Sequence, residues 1–252
     1  MIFAVLKKRN LIISLLLVLA VILCAIFLGT RAVQTFGTSR ELPIYSVKTD
    51  DKKVAISFDC AWGVDYTDKL LSIMEEEDVK CTFFMVEFWT TKHPDYVKKI
   101  SDMGHEIGTH SSTHPYMSKL DEVAIRKELS TSVGAIEKIT GKKVEVFRPP
   151  YGDYDNLLIE VARDMGLYTI QWDVDSLDWK DLSKSQIEQR VLSKVKSGSI
   201  VLFHNQGLHT AEALPKIIKE LKNQGYTFVP IGELIYKDNY YMASDGTQIK
   251  NS

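Results

Sequence analysis

Two histidines four residues apart, His110 and His114, are the first pair in this chain whose spacing points to chemistry. If the segment is helical, their imidazoles face the same way and can share one cation. Zinc accepts neutral imidazole and needs a third protein ligand, leaving a position for water. Asp59 follows an apolar run and is placed to act as a general base on such a water. His204 ends a second apolar run, and as an imidazolium it can protonate a leaving amine or alkoxide. A carboxylate beside it, Asp175 in the run Asp173-Val174-Asp175-Ser176-Leu177-Asp178, would raise its pKa and fix its tautomer. Arg148, in Arg148-Pro149-Pro150-Tyr151-Gly152, can hold a carboxylate through its planar fork.

Each of these residues stands at the end of a short apolar segment. Val54-Ala55-Ile56-Ser57-Phe58 reads as a buried strand, as do segments 81–86, 106–108, 144–147, 168–172, 199–203 and 226–229. Between them lie amphipathic stretches that open on polar caps and close on Gly104, Gly141, Gly166, Gly198 and Gly225. Strand and helix alternate throughout, which predicts an α/β fold with a parallel sheet and helices outside, a deformed (β/α) barrel of about seven strands. In such folds the reactive groups sit on loops at the carboxyl ends of the strands, where all these residues fall.

The first thirty residues differ. Segment 11–29 is almost wholly aliphatic and follows Lys7, Lys8 and Arg9. That length suits a membrane span, and the basic flank predicts a cytosolic N-terminus. A cleaved signal peptide is the competing reading, but Phe27-Leu28-Gly29-Thr30-Arg31-Ala32 makes a poor cleavage site. The expected organisation is therefore a cytosolic stretch 1–9, a transmembrane anchor 10–30, a linker 31–50, a catalytic domain 51–237 and a C-terminal tail 238–252. It places the domain outside the cell membrane, and a monomer is expected. The net charge of −2 and scattered basic residues exclude a nucleic-acid partner. Of the three cysteines, Cys24 lies in the apolar segment, so Cys60 and Cys81 form no disulfide framework.

Five ordered stretches carry a family resemblance: Ser57-Phe58-Asp59; Gly104 through Pro115 with both histidines; Arg148-Pro149-Pro150-Tyr151-Gly152; Asp173 through Trp179; and Leu202-Phe203-His204. Together they resemble the polysaccharide deacetylase family, the NodB-homology domain of carbohydrate esterase family four. Cys60-Ala61-Trp62-Gly63 is similar to its branch in spore-forming bacteria, which implies a sporulation role. The resemblance implies a hydrolase that removes acetyl groups from polysaccharide, here cell-wall glycan of the peptidoglycan type carrying N-acetylglucosamine or N-acetylmuramic acid. It implies Asp59 as base, His204 as acid with Asp175 as its partner, and Arg148 as the group orienting the base. It also implies His110 and His114 as ligands of a divalent metal, zinc or else cobalt. The Tyr151 backbone N–H would donate to the oxyanion, Trp179 and Leu202 would wall the acetyl pocket, and Pro149 would join the substrate-binding set.

One position departs. The family's first motif has two adjacent aspartates, the second a metal ligand, and here that position is Cys60. A thiolate is a good zinc ligand and could substitute. A cysteine directly after a strand can equally turn into the core as a small hydrophobe. Asp65 is a more remote oxygen donor. The alternative functions are a catalytically impaired glycan-binding homologue and an O-acetyl polysaccharide esterase.

Overall fold

Val54 to Cys60 must lose contact with water on both faces, because a parallel strand with helices outside and a filled interior has no wet side. The computed structural model, which describes residues 15–25 and 40–251, builds this segment as strand β2 (Lys53–Cys60). Successive side chains point to opposite faces. Val54, Ile56, Phe58 and Cys60 join a large core with the surrounding helices, whereas Ala55 packs with Phe84, Val146, Ile170 and Ile200 in a smaller core on the other face. Asp59 follows the parity of Ala55.

The remaining strands are β1 (Ser46–Val47), β3 (Thr82–Met85), β4 (Glu106–Thr109), β5 (Val146–Phe147), β6 (Tyr168–Thr169), β7 (Val174–Asp175), β8 (Ile200–His204), β9 (Thr227–Phe228), β10 (Tyr240–Met242) and β11 (Thr247–Lys250). Six of them join β2 in one parallel sheet in the order β6-β5-β4-β3-β2-β8-β7, curled into a half-barrel, and β9 branches from β2. The register sets Asp59 opposite His204 and Cys60 opposite Met85. The seventh strand is not the expected one. Segment 226–229 supplies only the short β9, while β7 arises from the aspartate-rich run.

Local chemistry explains most helices. Helix α1 (Thr67–Glu76) starts one residue after Tyr66 and buries Leu70, Leu71 and Met74. Helix α2 (Glu87–Lys92) is short, and α3 (Pro94–Asp102) opens on Pro94, whose fixed φ suits a first turn. Asp121 caps α4 (Glu122–Thr140) through the Ala124 N–H, and Gly141 closes it in the left-handed region at φ 67°. Asp155 caps α5 (Asn156–Asp164), and Ser183 with Gln186 forms a capping box on α6 (Lys184–Leu192). Helix α7 (Thr210–Asn223) packs beside α6, and the single turn α8 (Ile231–Leu234) covers the smaller core.

The chain divides into two compact units, Met1–Arg40 and Glu41–Ser252. The expected linker and tail are structured where they are described. Ile44 bridges Ile170 and Ser46 bridges Ser199, so this segment links β6 to the start of β8. Strand β1 pairs with β11, which forms an antiparallel ladder with β10. In the first unit, residues 15–25 are helical, and the rest of the expected anchor 10–30 lies outside the described residues. No helix among the described residues is long and apolar enough to cross a membrane. This corrects the expected single-pass membrane localisation and leaves the expected membrane partner without support among the described residues.

Gly108 on β4 lets the inner layer close. A Cβ there would stand 2.7 Å from the Phe84 ring and 2.8 Å from a Val146 methyl. Both neighbours are fully buried. Gly108→Ala is expected to destabilise the fold by about 1–3 kcal/mol through overpacking, measured by urea unfolding.

Candidate active site

Asp59 is a buried carboxylate at the carboxyl rim of the sheet. Its Oδ1 accepts from Arg148 Nη1 at 2.8 Å, and Oδ2 lies 3.6 Å from His110 Nε2. Burial pushes the Asp59 pKa up, but the Arg148 guanidinium, His110 and His204 together outweigh it and hold the carboxyl below its ordinary value. Arg148 is itself fully buried. It donates through Nη2 to the Gln171 carbonyl at 3.2 Å, and its guanidinium lies 4.2 Å from the Phe84 ring centroid. Removing either partner of such a pair leaves an uncompensated buried charge, at a cost of about 3–5 kcal/mol.

His110 and His114 come together on a loop rather than a helical turn. Ser111 and His114 adopt left-handed conformations, with φ 72° and 60°. Glu128 on α4 holds the loop, accepting from the Ser112 and Thr113 N–H groups at 2.9 and 2.8 Å. The imidazole rings meet edge to face at 4.9 Å. His110 Nδ1 lies 2.7 Å from the Arg148 carbonyl, an acceptor, so Nδ1 carries the proton and Nε2 presents a lone pair towards Asp59. Burial holds both rings neutral. It lowers His110 despite Asp59, and it takes His114, with help from His110, to about 4. The His110–Asp59 contact is therefore not an ion pair.

His204 stands beside Asp59 on the neighbouring strand, and its carboxylate partner is Asp178, not Asp175. Asp178 Oδ1 lies 2.8 Å from His204 Nδ1. Its Oδ2 accepts from the His204 N–H at 2.8 Å and from Thr210 Oγ1 at 2.6 Å. Asp175 instead caps the turn, accepting from the Leu177 N–H at 2.8 Å. The physical reason is the backbone: Leu177 turns left-handed at φ 56°, which swings the third aspartate of the run under the imidazole. Burial alone would lower the His204 pKa, but Asp178, then Asp59 and Asp175, raise it above the ordinary imidazole value.

These groups line a cavity of about 690 Å³, in the range of small-molecule sites, with Tyr151, Trp179 and Leu202 on its walls. Tyr151 sits at φ 60° in the turn after β5. Pro149 does not line the cavity. It is buried, and its carbonyl accepts from the Gly152 N–H at 3.1 Å, so it shapes the turn instead. Three supporting residues had little local signal in the sequence. They are Glu128, Gln171 and Asn205, whose side chain donates to the Trp62 and Gly63 carbonyls at 3.2 and 2.9 Å. Asp178 was visible as one of three aspartates, but only the turn selects it.

The donor set does not complete the expected metal centre. Neutral imidazoles suit zinc, but Cys60 shares the parity of Phe58 and is buried against the helix layer, with Sγ 4.0 Å from the Phe58 carbonyl. Burial, and then Asp59, push its thiol well above the ordinary value, so it is no thiolate. Asp65 accepts from Gln206 Nε2 at 2.7 Å and lies off the cavity wall. Among the described residues, no group of three His, Cys, Asp or Glu side chains is placed to hold an ion.

Two measurements check these assignments. Asp178→Asn is expected to lower the His204 pKa in an NMR titration, and Asp175→Asn to lower it less. Because the folded value lies above the unfolded one, the pair's stabilisation is full below the unfolded pKa and is lost as pH rises through the folded one. Cys60→Ala is expected to cost about 1 kcal/mol in urea unfolding while leaving zinc affinity unchanged in calorimetry. A fall in zinc affinity would place Cys60 in the metal site after all.

Comparison with known proteins agrees with this architecture. Residues 46–170 match the family model described as polysaccharide deacetylase. The uncharacterized protein YlxY of Bacillus subtilis is 37% identical over 77% of this chain, which spans 60% of that protein's length. A peptidoglycan-N-acetylglucosamine deacetylase of Bacillus cereus is 34% identical over 76% of this chain and 92% of its own. Among solved structures, wild-type BA3943 of Bacillus anthracis, described as a CE4 family pseudoenzyme, superposes with a TM-score of 0.74 at 35% identity, covering 83% of this chain and 73% of that one. With a 34% identical relative matched over nine-tenths of its length, this chain belongs to the polysaccharide deacetylase family.

Proposed function

We propose that the domain removes N-acetyl groups from the amino sugars of a cell-wall glycan of the peptidoglycan type. The observation that carries this reading is a carboxylate and an imidazole set side by side in one strand register, each with its own polar partner behind it. Asp59 is buried and paired with Arg148, which holds its pKa down, and half-buried His204 is bonded to Asp178, which raises its pKa. A site that only bound sugar would gain nothing from the desolvation of both.

Asp59 Oδ1 is committed to Arg148, so Oδ2 takes the proton of an attacking water. The water oxygen bonds to the acetyl carbon, and the carbonyl electrons move to oxygen. The Tyr151 backbone N–H donates to that oxyanion, whose charge develops only as the tetrahedral centre forms. His204 has Nδ1 engaged by Asp178 and delivers the Nε2 proton to the sugar nitrogen as the carbon–nitrogen bond breaks. Leu202 and Trp179 face the acetyl methyl. The histidine pair beside Oδ2 keeps this end of the cavity uncharged, so nothing competes with Arg148 for the carboxylate.

A second reading, glycan binding without turnover, draws on the incomplete metal-donor set and on the likeness to a pseudoenzyme. Acetate release from peptidoglycan and from chitooligosaccharides, with and without zinc or cobalt, separates the two. Turnover is expected, reduced about 100-fold or more by Asp59→Asn. Its rate is expected to fall as pH rises through the raised His204 value, and to hold in acid until the lowered Asp59 value is reached. A folded protein that binds the glycan but releases no acetate under any condition would establish the second reading.

A further inference from the structure

We infer that Thr210, given room by Gly207, is a positioning residue for His204. Its hydroxyl holds the Asp178 carboxylate in the place where that group fixes the tautomer and the tilt of the imidazole. The consequence for turnover rests on the acid role proposed above, but the arrangement itself does not.

Asp178 stands on a segment with little hold on its own shape. The short turn 178–180 is bounded by Leu177 and Asp181, left-handed at φ 56° and 52°. Outside glycine such conformations cost about 1–3 kcal/mol each and persist only where the surroundings over-determine them. Within the segment, the Asp178 N–H donates to Ser176 Oγ at 3.3 Å, and the Lys180 N–H to the Leu177 carbonyl at 3.0 Å. Trp179, between them, is more than half exposed. The shorter bonds, at 2.6 to 2.8 Å, run from the Asp178 side chain to β8 and the residues after it.

Two of those bonds go to His204, through its backbone N–H and its Nδ1. A carboxylate held only by the residue it steers would be free to swing with it. The third bond, 2.6 Å from Thr210 Oγ1, comes from a separate element, the first residue of α7. Thr210 is fully buried, and Ala211, Ala213 and Leu214 after it belong to the main core, so the hydroxyl is a fixed point. A hydroxyl at the start of a helix is ordinarily spent on nearby backbone. This one reaches across 32 residues to a side chain.

Two successive turns bring it there. The Gly207 N–H donates to the His204 carbonyl, and the Thr210 N–H to the Gly207 carbonyl, both at 3.2 Å. Space, not backbone freedom, requires the glycine. A Cβ on Gly207 would stand 2.1 Å from Thr210 Oγ1 and 2.6 Å from Asp178 Oδ2, against both ends of the bond. A threonine that only filled the core would need neither the short contact nor the cleared space beside it.

The test is ring-nitrogen NMR of His204 in the full chain, recorded at alkaline pH where the imidazole is neutral. In the unaltered chain the proton is expected on Nδ1, facing Asp178. Thr210→Val replaces the hydroxyl by a methyl, whose carbon needs about 3.3 Å or more from an oxygen and so displaces the carboxylate. The ratio of the Nδ1–H form to the Nε2–H form is expected to fall about tenfold, the scale of one hydrogen bond to a charged group. Gly207→Ala should lower it likewise, and Thr210→Ser, which keeps the hydroxyl, should preserve it. In acetate release from chitooligosaccharides, Thr210→Val is expected to lower kcat about tenfold and to leave KM within about twofold. Urea unfolding confirms that each variant is folded. An unchanged ratio in folded Thr210→Val protein, or a Thr210→Ser protein that loses the ratio as fully as the valine variant, would overturn the inference and leave Thr210 a packing residue. No acetate release from the unaltered chain would remove the proposed turnover alone, and the tautomer ratio would still decide the role of Thr210.

Discussion

The ion pair between Asp59 and Arg148 is the interaction on which the rest of the site depends. Both charges have left water, and an isolated buried charge would neutralise itself or unfold its surroundings. Each is therefore satisfied from several sides. Arg148 lies on the Phe84 ring and donates to the Gln171 carbonyl, while its own carbonyl fixes the tautomer of His110. Gly108 has no side chain because Phe84 needs that space to lie beneath the guanidinium. A single buried pair thus links strands β2, β4 and β5 and the segment after β6.

The same strand that delivers Asp59 withholds Cys60. Adjacent residues of a strand face opposite sides, so the residue after an inward-facing base points into the helix layer unless the strand has already ended. Here β2 runs through Cys60, and an apolar thiol suits the place. A carboxylate there would have to break the strand to reach the histidines. The cysteine is therefore consistent with its surroundings as a packing residue, and among the described residues no third donor joins the two imidazoles. Asp59 and His204 still stand side by side in register, Asp59 paired with Arg148 and His204 bonded to Asp178.

The second charged pair works on a different principle. His204 keeps one edge in the cavity, while Asp178 is buried beneath it and saturated by a backbone N–H, a hydroxyl and the imidazole. Held in place by these three bonds, Asp178 raises the imidazole pKa. Asp175, closer to the opening, contributes to the field and to the turn.

Much of this protein was legible in its residues. The apolar runs and glycine stops located six of the seven strands of the main sheet, and the clustering of Asp59, His110, Arg148 and His204 at strand ends was local information. The fold class followed because periodicity and caps act over a few residues. What remained hidden depended on direction rather than identity. Which aspartate of Asp173, Asp175 and Asp178 meets His204 is decided by a left-handed turn at Leu177, a residue type that rarely signals one. Whether Cys60 faces the histidines or the core depends on where β2 ends, which its pairing with β3 sets. The tail forms β10 and β11 because β1 offers an edge, and segment 174–175 becomes a strand because β8 lies beside it. Side-chain identity is written along the chain, but the face a side chain presents is set by hydrogen bonds to residues far away in sequence, and only the tertiary structure supplies those.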